Sequence, residues 1–479
     1  MDDRRIGTAS LVRLLGAWRG SSGHAAYRAL ADALRLLILD GRLPLNARLP
    51  GERELAAGLE LSRTTVAAAF EALRGEGFLA SRRGSGSRTA IPAGPGARAE
   101  SFFTGEGAPG LINLAAAAFP AGPAVHGAYA AALAALPAYL PGNGYEPIGL
   151  PVLRQRIADR YSARGIATAP DQILVTSGAQ HGFALLLRAF AAPGDRVVID
   201  HPTYPHAIDA IQSASCRAVP VGLPASGWDI EGLAAAFRQT APRLAYLIPD
   251  FHNPTGRFMS DAERGAVIAA AAERTLLVFD ETLADLWFDA PMTSAVDGSG
   301  VVRSGSMGKS HWGGLRIGWV RAEPDIVARL AAVRPTLDLG TPVLEQLAAA
   351  ALLATGEGLD ERRSELRSRR DFLIGRVNER LPGWRVPAPP GGLALWAELP
   401  GAFSSALAAT SERFGVRLSA GPRFGVRGAF ERYLRLPFAL PEDQLAQAVD
   451  RLADAAAALG RTSAPEAAKP LLQPDFAMV

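Results

Sequence analysis

Only two lysines occur among the 479 residues, and one of them stands in a setting suited to chemistry. Lys309 lies in the run from Ser306 to Ser310, shortly before the run from Gly314 to Trp319, while arginine supplies nearly all the other basic charge. A coding bias toward arginine would explain this scarcity without function. A desolvated amine, however, can form a Schiff base with an aldehyde, whereas a guanidinium stays protonated and cannot. Lys309 is therefore a candidate for imine chemistry, whereas Lys469, in a Pro- and Ala-rich tail, is expected to be a solvated charge.

Polar residues also follow the predicted strands that precede this lysine. The run from Ser177 to Gln180 opens a helix directly after a strand, and a helix N-terminus can bind an anion. Asn253 begins a Pro-Thr-Gly turn after another strand. Asp280 ends a third strand, where it is either a solvated terminus or the partner of a cationic ring nitrogen. Each pattern also occurs in ordinary turns, so the prediction depends on their order and spacing up to Lys309 and Arg316.

The elements around these residues predict an α/β domain. Short apolar segments alternate with helical stretches, and the candidate strands are Ile173–Thr176, Arg196–Asp200, Ala218–Val221, Leu244–Pro249, Leu276–Asp280, Val301–Ser304 and Gly318–Arg321. This alternation is typical of a sheet with mostly parallel strands. Ligands of such sheets bind in the loops at the C-terminal ends of the strands, which is where the polar residues fall.

Length and composition are those of a folded protein with more than one domain. A chain of 479 residues exceeds one ordinary core and predicts two or three domains, and 48% of its residues are hydrophobic. The single cysteine, Cys216, excludes an intramolecular disulfide and fits a reducing compartment, so we predict a cytoplasmic protein. The Ala-rich run from Ala115 to Leu140 is interrupted by prolines and His126, so no membrane span is predicted. No metal site is expected.

The charge is unevenly distributed along the chain. Residues 1–95 contain fourteen arginines against nine acidic residues, a net charge of +5, and the remainder carries −2. A basic N-terminal region on a nearly neutral body predicts an anionic partner for that region.

The same N-terminal region has the pattern of three helices followed by a hairpin. Apolar residues recur at helical spacing over residues 27–40, and a short helix follows over 51–59. Ser62 is a suitable N-cap for a third helix from Arg63 to Glu76. Two short strands joined by a Gly-Ser tip then follow over 78–88, with arginines on both sides.

This order predicts a winged helix-turn-helix module that binds DNA. The third helix would lie in the major groove with Arg63, Thr64 and Thr65 facing bases and phosphates. Arg82 and Arg83 in the wing would meet backbone phosphate or the minor groove. The alternative is a small helical interaction domain with ordinary surface arginines.

A family resemblance favours DNA binding. The segment from Leu49 to Val66 and the later run from Gly77 to Leu79 resemble the winged-helix domain of the GntR family of bacterial regulators. The resemblance implies DNA contacts from Arg53 and Arg63, with Arg48 and Thr65 as additional candidates.

The ordered set of residues in the second region, from about Asn113 to Gly460, resembles the fold-type I aminotransferase superfamily. The resemblance implies that pyridoxal 5'-phosphate is the cofactor and that Lys309 forms the internal aldimine with it. Asp280 would pair with the ring nitrogen, Asn253 would meet the ring hydroxyl and Tyr204 would stack on the ring. The implied phosphate ligands are backbone groups of Gly178, Ala179 and Gln180, the hydroxyl of Ser306 and the guanidinium of Arg316.

Two further matches and two departures follow from this resemblance. Tyr145 matches a tyrosine that reaches the phosphate of the neighbouring subunit, which implies a homodimer. Arg435 matches the arginine that binds the α-carboxylate of an amino acid, although a surface salt-bridge arginine is the alternative. Leu283 replaces a tyrosine that usually donates to the ring hydroxyl oxygen, and Gly308 replaces a frequent serine. The first change predicts slow transamination with cofactor binding retained.

A GntR-type winged helix fused to an aminotransferase-like domain is the architecture of the MocR/GabR-type transcriptional regulators. The predicted divisions are a winged helix over 1–88, a linker over 89–111, an aminotransferase-like domain over 112–462 and a tail over 463–479. The leading hypothesis is a regulator that binds a double-stranded DNA operator and senses pyridoxal phosphate or a small amino compound. One alternative is a working aminotransferase with an accessory DNA-binding domain. Another is a repressor whose second domain is only a dimerisation scaffold.

Overall fold

The computed structural model describes residues 5–16, 18, 26–39, 42–44, 47–82, 86–90, 110–271 and 275–460, without the side chains of 39, 81 and 82. Three bodies follow one another along the chain: a small N-terminal domain, a large α/β lobe and a smaller C-terminal lobe. No helix in the described residues is long and apolar enough to cross a membrane.

The N-terminal domain contains the helices and hairpin that the sequence predicts, preceded by one helix that it did not. The elements are α1 Thr8–Leu15, α2 Ala26–Leu39, α3 Glu52–Leu59, α4 Arg63–Gly75, β1 Leu79–Arg82 and β2 Gly86–Thr89, with β1 and β2 antiparallel. Ser62 caps α4 as expected, because its hydroxyl accepts from the backbone N–H of Thr65 at 3.1 Å. The unpredicted α1 forms because Leu11 and Leu15 pack into the same core as Leu34 and Phe70.

Seven strands of the described residues form the sheet of the large lobe. After β3 Ile112–Asn113, the strands are β4 Ile173–Thr176, β5 Arg196–His201, β6 Arg217–Gly222, β7 Leu244–Leu247, β8 Leu276–Asp280, β9 Val301–Ser306 and β10 Gly318–Arg321. Their order is β4-β10-β9-β8-β7-β5-β6, and β10 alone runs antiparallel to its neighbours. Helices pack on both faces of this sheet: α5 Pro123–Ala135, α6 Pro151–Ala163, α7 Ala179–Phe190, α8 Pro205–Ser213, α9 Ile230–Thr240, α10 Asp261–Ala271, α11 Pro324–Val333 and α12 Val343–Thr355.

The C-terminal lobe is a small antiparallel sheet covered by helices. Its elements are α13 Leu359–Arg380, β11 Ala394–Glu398, α14 Ser404–Ser411, β12 Val416–Arg417, β13 Ser419–Ala420, β14 Tyr433–Pro437 and α15 Glu442–Ala458. The sheet order is β11-β14-β13. The short strand β3 pairs in parallel with β12, so the first residues after the predicted linker belong to this lobe rather than to the large one. Sequence order could not show this pairing, because some 300 residues separate the two strands.

The N-terminal domain packs against the C-terminal lobe. Helix α2 lies along α14, and Leu36 of α2 packs against the hydrophobic core of that lobe. At the C-terminus of α1, a Cβ atom on Gly16 would lie 2.8 Å from the carbonyl oxygen of Arg427. The N-terminal domain therefore contacts the loop that leads into β14.

Candidate cofactor and effector site

A cavity of about 700 Å³ opens at the C-terminal ends of the parallel strands, between the large and the C-terminal lobes. It brings together residues that the sequence separates by more than 250 positions. The predicted residues that line it are Gly178, Ala179, Gln180, Tyr204, Asn253, Asp280, Ser306, Lys309, Arg316 and Arg435. Topology explains the convergence, since β4, β7, β8 and β9 all end at this edge or supply the loops beyond it.

Lys309 follows β9 and turns its amine into this cavity. Its Nζ donates to the carbonyl oxygen of Ala117 at 2.6 Å. Burial, together with the positive charges of Arg435 and Arg316, lowers the pKa of Lys309 to about 8. A substantial fraction of the amine is therefore neutral near physiological pH, which is the form able to attack an aldehyde.

Asp280 ends β8 and is held by two donors. Its carboxylate accepts from the backbone N–H of Thr282 at 2.8 Å and from the hydroxyl of Tyr246. Burial raises the pKa of Asp280, and both hydrogen bonds oppose that rise. Tyr246 lies on the neighbouring strand β7 and was missed by the sequence analysis. The available signal was a single polar aromatic residue in the apolar strand Leu244–Leu247.

The N-terminus of α7 and the guanidinium of Arg316 form one end of the cavity. Gly178 is the N-cap residue of α7 and has a φ of 101°, in the region that favours glycine. A Cβ atom there would lie 2.9 Å from the Arg316 guanidinium, which donates to the carbonyl oxygen of Ser177 at 2.7 Å. The hydroxyl of Ser306 accepts from the N–H of Gly308 at 3.0 Å. Free N–H groups, the helix dipole and an arginine suit a phosphate group.

Arg435 lies on β14 at the opposite side of the cavity and is 6% exposed. It donates to the carbonyl oxygen of Ala115, and its guanidinium carbon lies 5.0 Å from the centre of the Phe424 ring. Its Nε has no hydrogen-bond partner among the described residues, and none of their carboxylates lies within 4.0 Å of it. Burial lowers the pKa of Arg435 to about 10, so the side chain stays cationic at neutral pH. A buried guanidinium of this kind suits a ligand carboxylate.

Tyr204 and Asn253 complete the walls between these ends. Tyr204 precedes α8, and burial with the nearby Asp280 charge raises the pKa of its hydroxyl. Asn253 precedes a cis peptide bond to Pro254, in the loop after β7. Both residues line the same cavity as Asp280 and Lys309.

Leu283 and Gly308, the two departures, also line the cavity. Leu283 is 8% exposed and belongs to the hydrophobic core shared with the C-terminal lobe. It therefore contributes an apolar wall at the position where most aminotransferases carry a tyrosine hydroxyl. A Cβ atom on Gly308 would lie 3.2 Å from the hydroxyl oxygen of Ser306, a close but tolerable contact.

Tyr145 does not line the cavity of its own chain. It lies in the loop between α5 and α6, and 61% of its surface is exposed. The role that the resemblance gives it therefore requires a second subunit.

The candidate DNA-binding residues occupy the N-terminal end of α4 and its surroundings. Arg53, Arg63 and Thr64 are exposed, and Arg63 lies 3.7 Å from Glu52. The hydroxyl of Thr65 lies 2.7 Å from that of Ser62, so this side chain supports the helix cap. Arg48 is half-buried, and its Nε would lie 3.2 Å from a Cβ on Gly86 of the wing. The side chain of Arg82 and all of Arg83 lie outside the described residues.

The cavity residues fit pyridoxal phosphate. A lysine of lowered pKa, a buried carboxylate at a strand end and a helix N-terminus beside an arginine are the three groups that this cofactor needs. Gly178 has no Cβ atom, so a ligand can approach its backbone closely. A side chain at this position would collide with Arg316.

Comparison with known proteins matches both parts of the chain. Residues 111–452 match the model of the family "aminotransferase class I and II", and residues 26–88 match "bacterial regulatory proteins, gntR family". The HTH-type transcriptional regulator YisV of Bacillus subtilis is 27% identical over 424 residues, which cover 80% of this chain and 86% of YisV. The 2-aminoadipate transaminase of Thermus thermophilus is 29% identical over 66% of this chain and 80% of its own length.

The solved structures show the same fold in the second region. The α-aminoadipate aminotransferase LysN from Thermus thermophilus, in complex with N-(5'-phosphopyridoxyl)-L-leucine, is similar with a TM-score of 0.67 and 28% identity. The similarity covers 73% of this chain and 93% of the LysN chain.

Proposed function

This chain belongs to the class I and II aminotransferase family and carries a gntR-family domain in front of that region, and from this premise we propose that it is a cytoplasmic, homodimeric transcriptional regulator. Its winged helix binds a double-stranded DNA operator. Its aminotransferase-like domain binds pyridoxal phosphate and senses either this cofactor or a small amino compound. The HTH-type regulator YisV, which is similar over 80% of this chain, supports the proposal.

Pyridoxal phosphate, when bound, supplies an electrophilic aldehyde and an electron-withdrawing ring. Lys309 presents an amine that is partly neutral at physiological pH. Asp280 offers a buried carboxylate that would pair with a protonated ring nitrogen, and Tyr246 donates to that carboxylate. The N-terminus of α7 with Arg316 would bind the phosphate. Arg435 would bind a ligand carboxylate.

One segment could transmit a change at the cavity to the DNA-binding domain, because it contacts both. We call residues 421–431 the connector segment. Its first part lines the cavity through Arg423 and Phe424. Arg423 forms two hydrogen bonds to Asp209 of α8, at 2.7 and 3.1 Å, and Phe424 lies under the Arg435 guanidinium. Movement of the large lobe relative to Arg435 therefore acts directly on the connector segment.

The second part of the connector segment packs against the DNA-binding domain. The backbone of Arg427 and Gly428 lies against Gly16 at the end of α1. Glu431 accepts from the backbone N–H of Ser405 at 3.0 Å and shares a small interdomain cavity with Arg42. A ligand that binds one arrangement of the connector segment better than another would shift the winged helix with it.

An exposed apolar surface supports a homodimer. The large hydrophobic residues that are exposed in the described chain all lie in two neighbouring regions, and they are Leu133, Leu140, Tyr145, Val152, Leu337 and Leu339. The two regions touch, because a Cβ atom on Gly340 would lie 3.0 Å from the carbonyl oxygen of Glu146. A second copy covering this surface would bury Tyr145 beside the partner, where Tyr145 would make the phosphate contact that the resemblance implies.

A working aminotransferase with an accessory DNA-binding domain is the second candidate function. It is favoured by the complete set of Asp280, Lys309 and Arg435 in the cavity. Leu283 counts against it, since a polar group missing from an active site commonly costs about two orders of magnitude in rate. Multiple turnover with a keto acid at ordinary enzyme rates would establish this second function instead.

The visible spectrum of the purified protein tests the proposal first. Bound cofactor should absorb in the visible range and become covalently fixed by borohydride in the wild type but not in Lys309→Ala. Operator affinity should then change on titration with the cofactor or with amino acids. Arg435→Ala should keep the cofactor and lose the amino acid response. A colourless protein that gains no absorbance with added cofactor would refute the proposal.

A further inference from the structure

Two cationic groups of the cavity are held by a single short piece of backbone. The Nζ of Lys309 donates to the carbonyl oxygen of Ala117 at 2.6 Å, and the guanidinium of Arg435 donates to that of Ala115. The two carbonyls are two residues apart, so at most about 7 Å of chain separates them. The amine and the guanidinium are close enough that the charge of Arg435 lowers the pKa of Lys309. An α-amino acid, whose amino and carboxylate groups share one carbon, suits this short separation better than an amino acid with a longer spacer.

Arg423, a further guanidinium of the cavity, already has a carboxylate partner. It is paired with Asp209 by two hydrogen bonds, at 2.7 and 3.1 Å, and His206 lies 3.2 Å from the same carboxylate. A ligand carboxylate would therefore have to compete with Asp209 for this guanidinium.

Three described lysine and arginine side chains of the cavity have no carboxylate partner: Lys309, Arg316 and Arg435. Lys309 is the amine that would bind the cofactor, and Arg316 lies beside Gly178 at the N-terminus of α7, where the phosphate is expected. Arg435 is thus left for one ligand carboxylate. A second ligand carboxylate would find no further unpaired lysine or arginine among the described residues of the cavity.

Several further walls of the cavity are apolar. They include Phe119, Phe251, Leu283, Leu393 and Phe424, each no more than 8% exposed. A charged ligand side chain placed against these residues would lose its hydration without compensation, whereas an aliphatic or aromatic side chain would gain from burial. Leu283 strengthens the preference for an apolar ligand side chain, because it replaces the tyrosine hydroxyl that most aminotransferases have at this position.

We propose that the effector is an α-amino acid with one carboxylate and an uncharged, apolar side chain, and that dicarboxylic amino acids are excluded. The inference rests on the proposed function, because it names the chemical class of the ligand that the regulator senses. Its specific content is that the pairing of Arg423 with Asp209 removes the cation that a second carboxylate would need.

The test compares ligands on the full-length protein loaded with pyridoxal phosphate. L-leucine and L-norleucine should change the visible spectrum at concentrations at least about 100-fold lower than L-glutamate, L-2-aminoadipate or γ-aminobutyrate, because an unpaired charge in an apolar site costs a few kcal/mol. Equal responses to leucine and glutamate, or a stronger response to γ-aminobutyrate, would overturn the inference and leave the proposed function standing. Bound cofactor without a response to any amino acid would overturn the inference and leave the cofactor alone as the effector.

A variant that gains a spectral response to glutamate tests the inference more directly. Asp209→Asn removes the carboxylate that neutralises Arg423, so the spectral response to glutamate should strengthen about tenfold while the response to leucine changes little. Asp195→Asn is the matched control, since Asp195 pairs with Arg243 at 3.7 Å away from this cavity. An unchanged preference in a folded Asp209→Asn protein would contradict the role of this ion pair.

Discussion

At the scale of single residues, the site depends on how burial changes ordinary side-chain chemistry. The surroundings of Lys309 disfavour its ammonium form, whereas Arg435 remains a cation in the same cavity because a guanidinium starts from a much higher pKa. At Asp280, burial raises the pKa of the carboxyl group, and hydrogen bonds from Thr282 and Tyr246 oppose that rise. The site therefore depends on residues of the sequence motifs and on hydrogen-bond partners, such as Tyr246, that lie outside those motifs.

The pH dependence of cofactor attachment should report the lowered pKa of Lys309. Because the neutral amine is the nucleophile, the rate of attachment to the apoprotein should rise with pH through a midpoint near 8, rather than near the ordinary lysine value. Arg435→Leu should move this midpoint upward, since a positive charge is removed. Stopped-flow absorbance across pH 6–10 measures both, and an identical midpoint in the two proteins would disprove the electrostatic contribution of Arg435.

Tyr246→Phe should weaken retention of the cofactor. The change removes a donor to the Asp280 carboxylate, which should raise the pKa of Asp280 further and cost about 1 kcal/mol, or roughly fivefold to tenfold in cofactor affinity. Absorbance after equilibrium dialysis measures the loss. Tyr161→Phe is the control, because this buried tyrosine donates to Glu281 at 3.0 Å and does not line the cavity. Equal losses in the two variants would indicate a general packing effect.

At the level of secondary structure, helix N-termini lie at the proposed anion sites in both halves of the chain. The N-terminus of α7 faces the cavity, and the N-terminus of α4 carries Arg63 and Thr64 on an exposed surface. The cap at Ser62 orients this end of α4 through its bond to Thr65. Glu52 lies 3.7 Å from Arg63, and this contact must break if Arg63 is to reach a base.

Arg63→Ala should weaken operator binding by about 1–3 kcal/mol and relax base preference at one position of each half-site. Arg74→Ala is the control on the same helix, because Arg74 lies in the last turn and pairs with Glu71 at 2.8 Å. Fluorescence anisotropy with operator variants at two salt concentrations measures affinity and specificity together. Undiminished and equally specific binding by Arg63→Ala would exclude this arginine from base contact.

At the scale of the whole molecule, the cofactor cavity and the DNA-binding face are connected through one loop. The connector segment meets the cavity at Arg423 and Phe424 and meets the winged helix at Arg427 and Gly428. Contacts of this kind let a small change at the cavity act on a distant domain, provided that the two arrangements differ in their affinity for the ligand.

Gly16→Ala should uncouple the cofactor cavity from the winged helix. Gly16 has a φ of 57°, and the new methyl group would lie 2.8 Å from the carbonyl oxygen of Arg427, so α1 must separate from the connector segment. Cofactor absorbance should be unchanged, while the ratio of operator affinities with and without effector should fall toward one. Gly7→Ala at the other end of α1 is the control, since its Cβ would meet nothing within 4 Å. A preserved ratio in Gly16→Ala would place the coupling elsewhere.

Leu339→Glu should separate the dimer. The substitution places a charge on the exposed apolar surface, where Leu339 is 51% exposed. Sedimentation velocity should then show a monomer at concentrations where the wild type is a dimer. The monomer should also hold cofactor less tightly if Tyr145 reaches the phosphate of the partner. A dimer that survives the substitution would move the subunit interface to another surface.

Sequence patterns alone predicted the two-part organisation, the succession of strands along the chain and the residues of the chemical motifs. Local patterns carry this information, since helical periodicity, the N-cap at Ser62 and apolar strands such as Leu276–Asp280 depend on neighbours within a few positions. The family resemblance added roles to Lys309 and Arg435, which periodicity cannot assign.

The contacts between groups that are distant in the chain became visible in the folded structure. Tyr246 donates to Asp280 because β7 and β8 are adjacent in the sheet, and Arg423 is neutralised because α8 approaches the connector segment. The membership of β3 in the C-terminal lobe and the packing of α1 on Arg427 likewise depend on contacts across hundreds of residues. Such contacts are set by the burial of whole elements, so they leave no periodic signal in the chain.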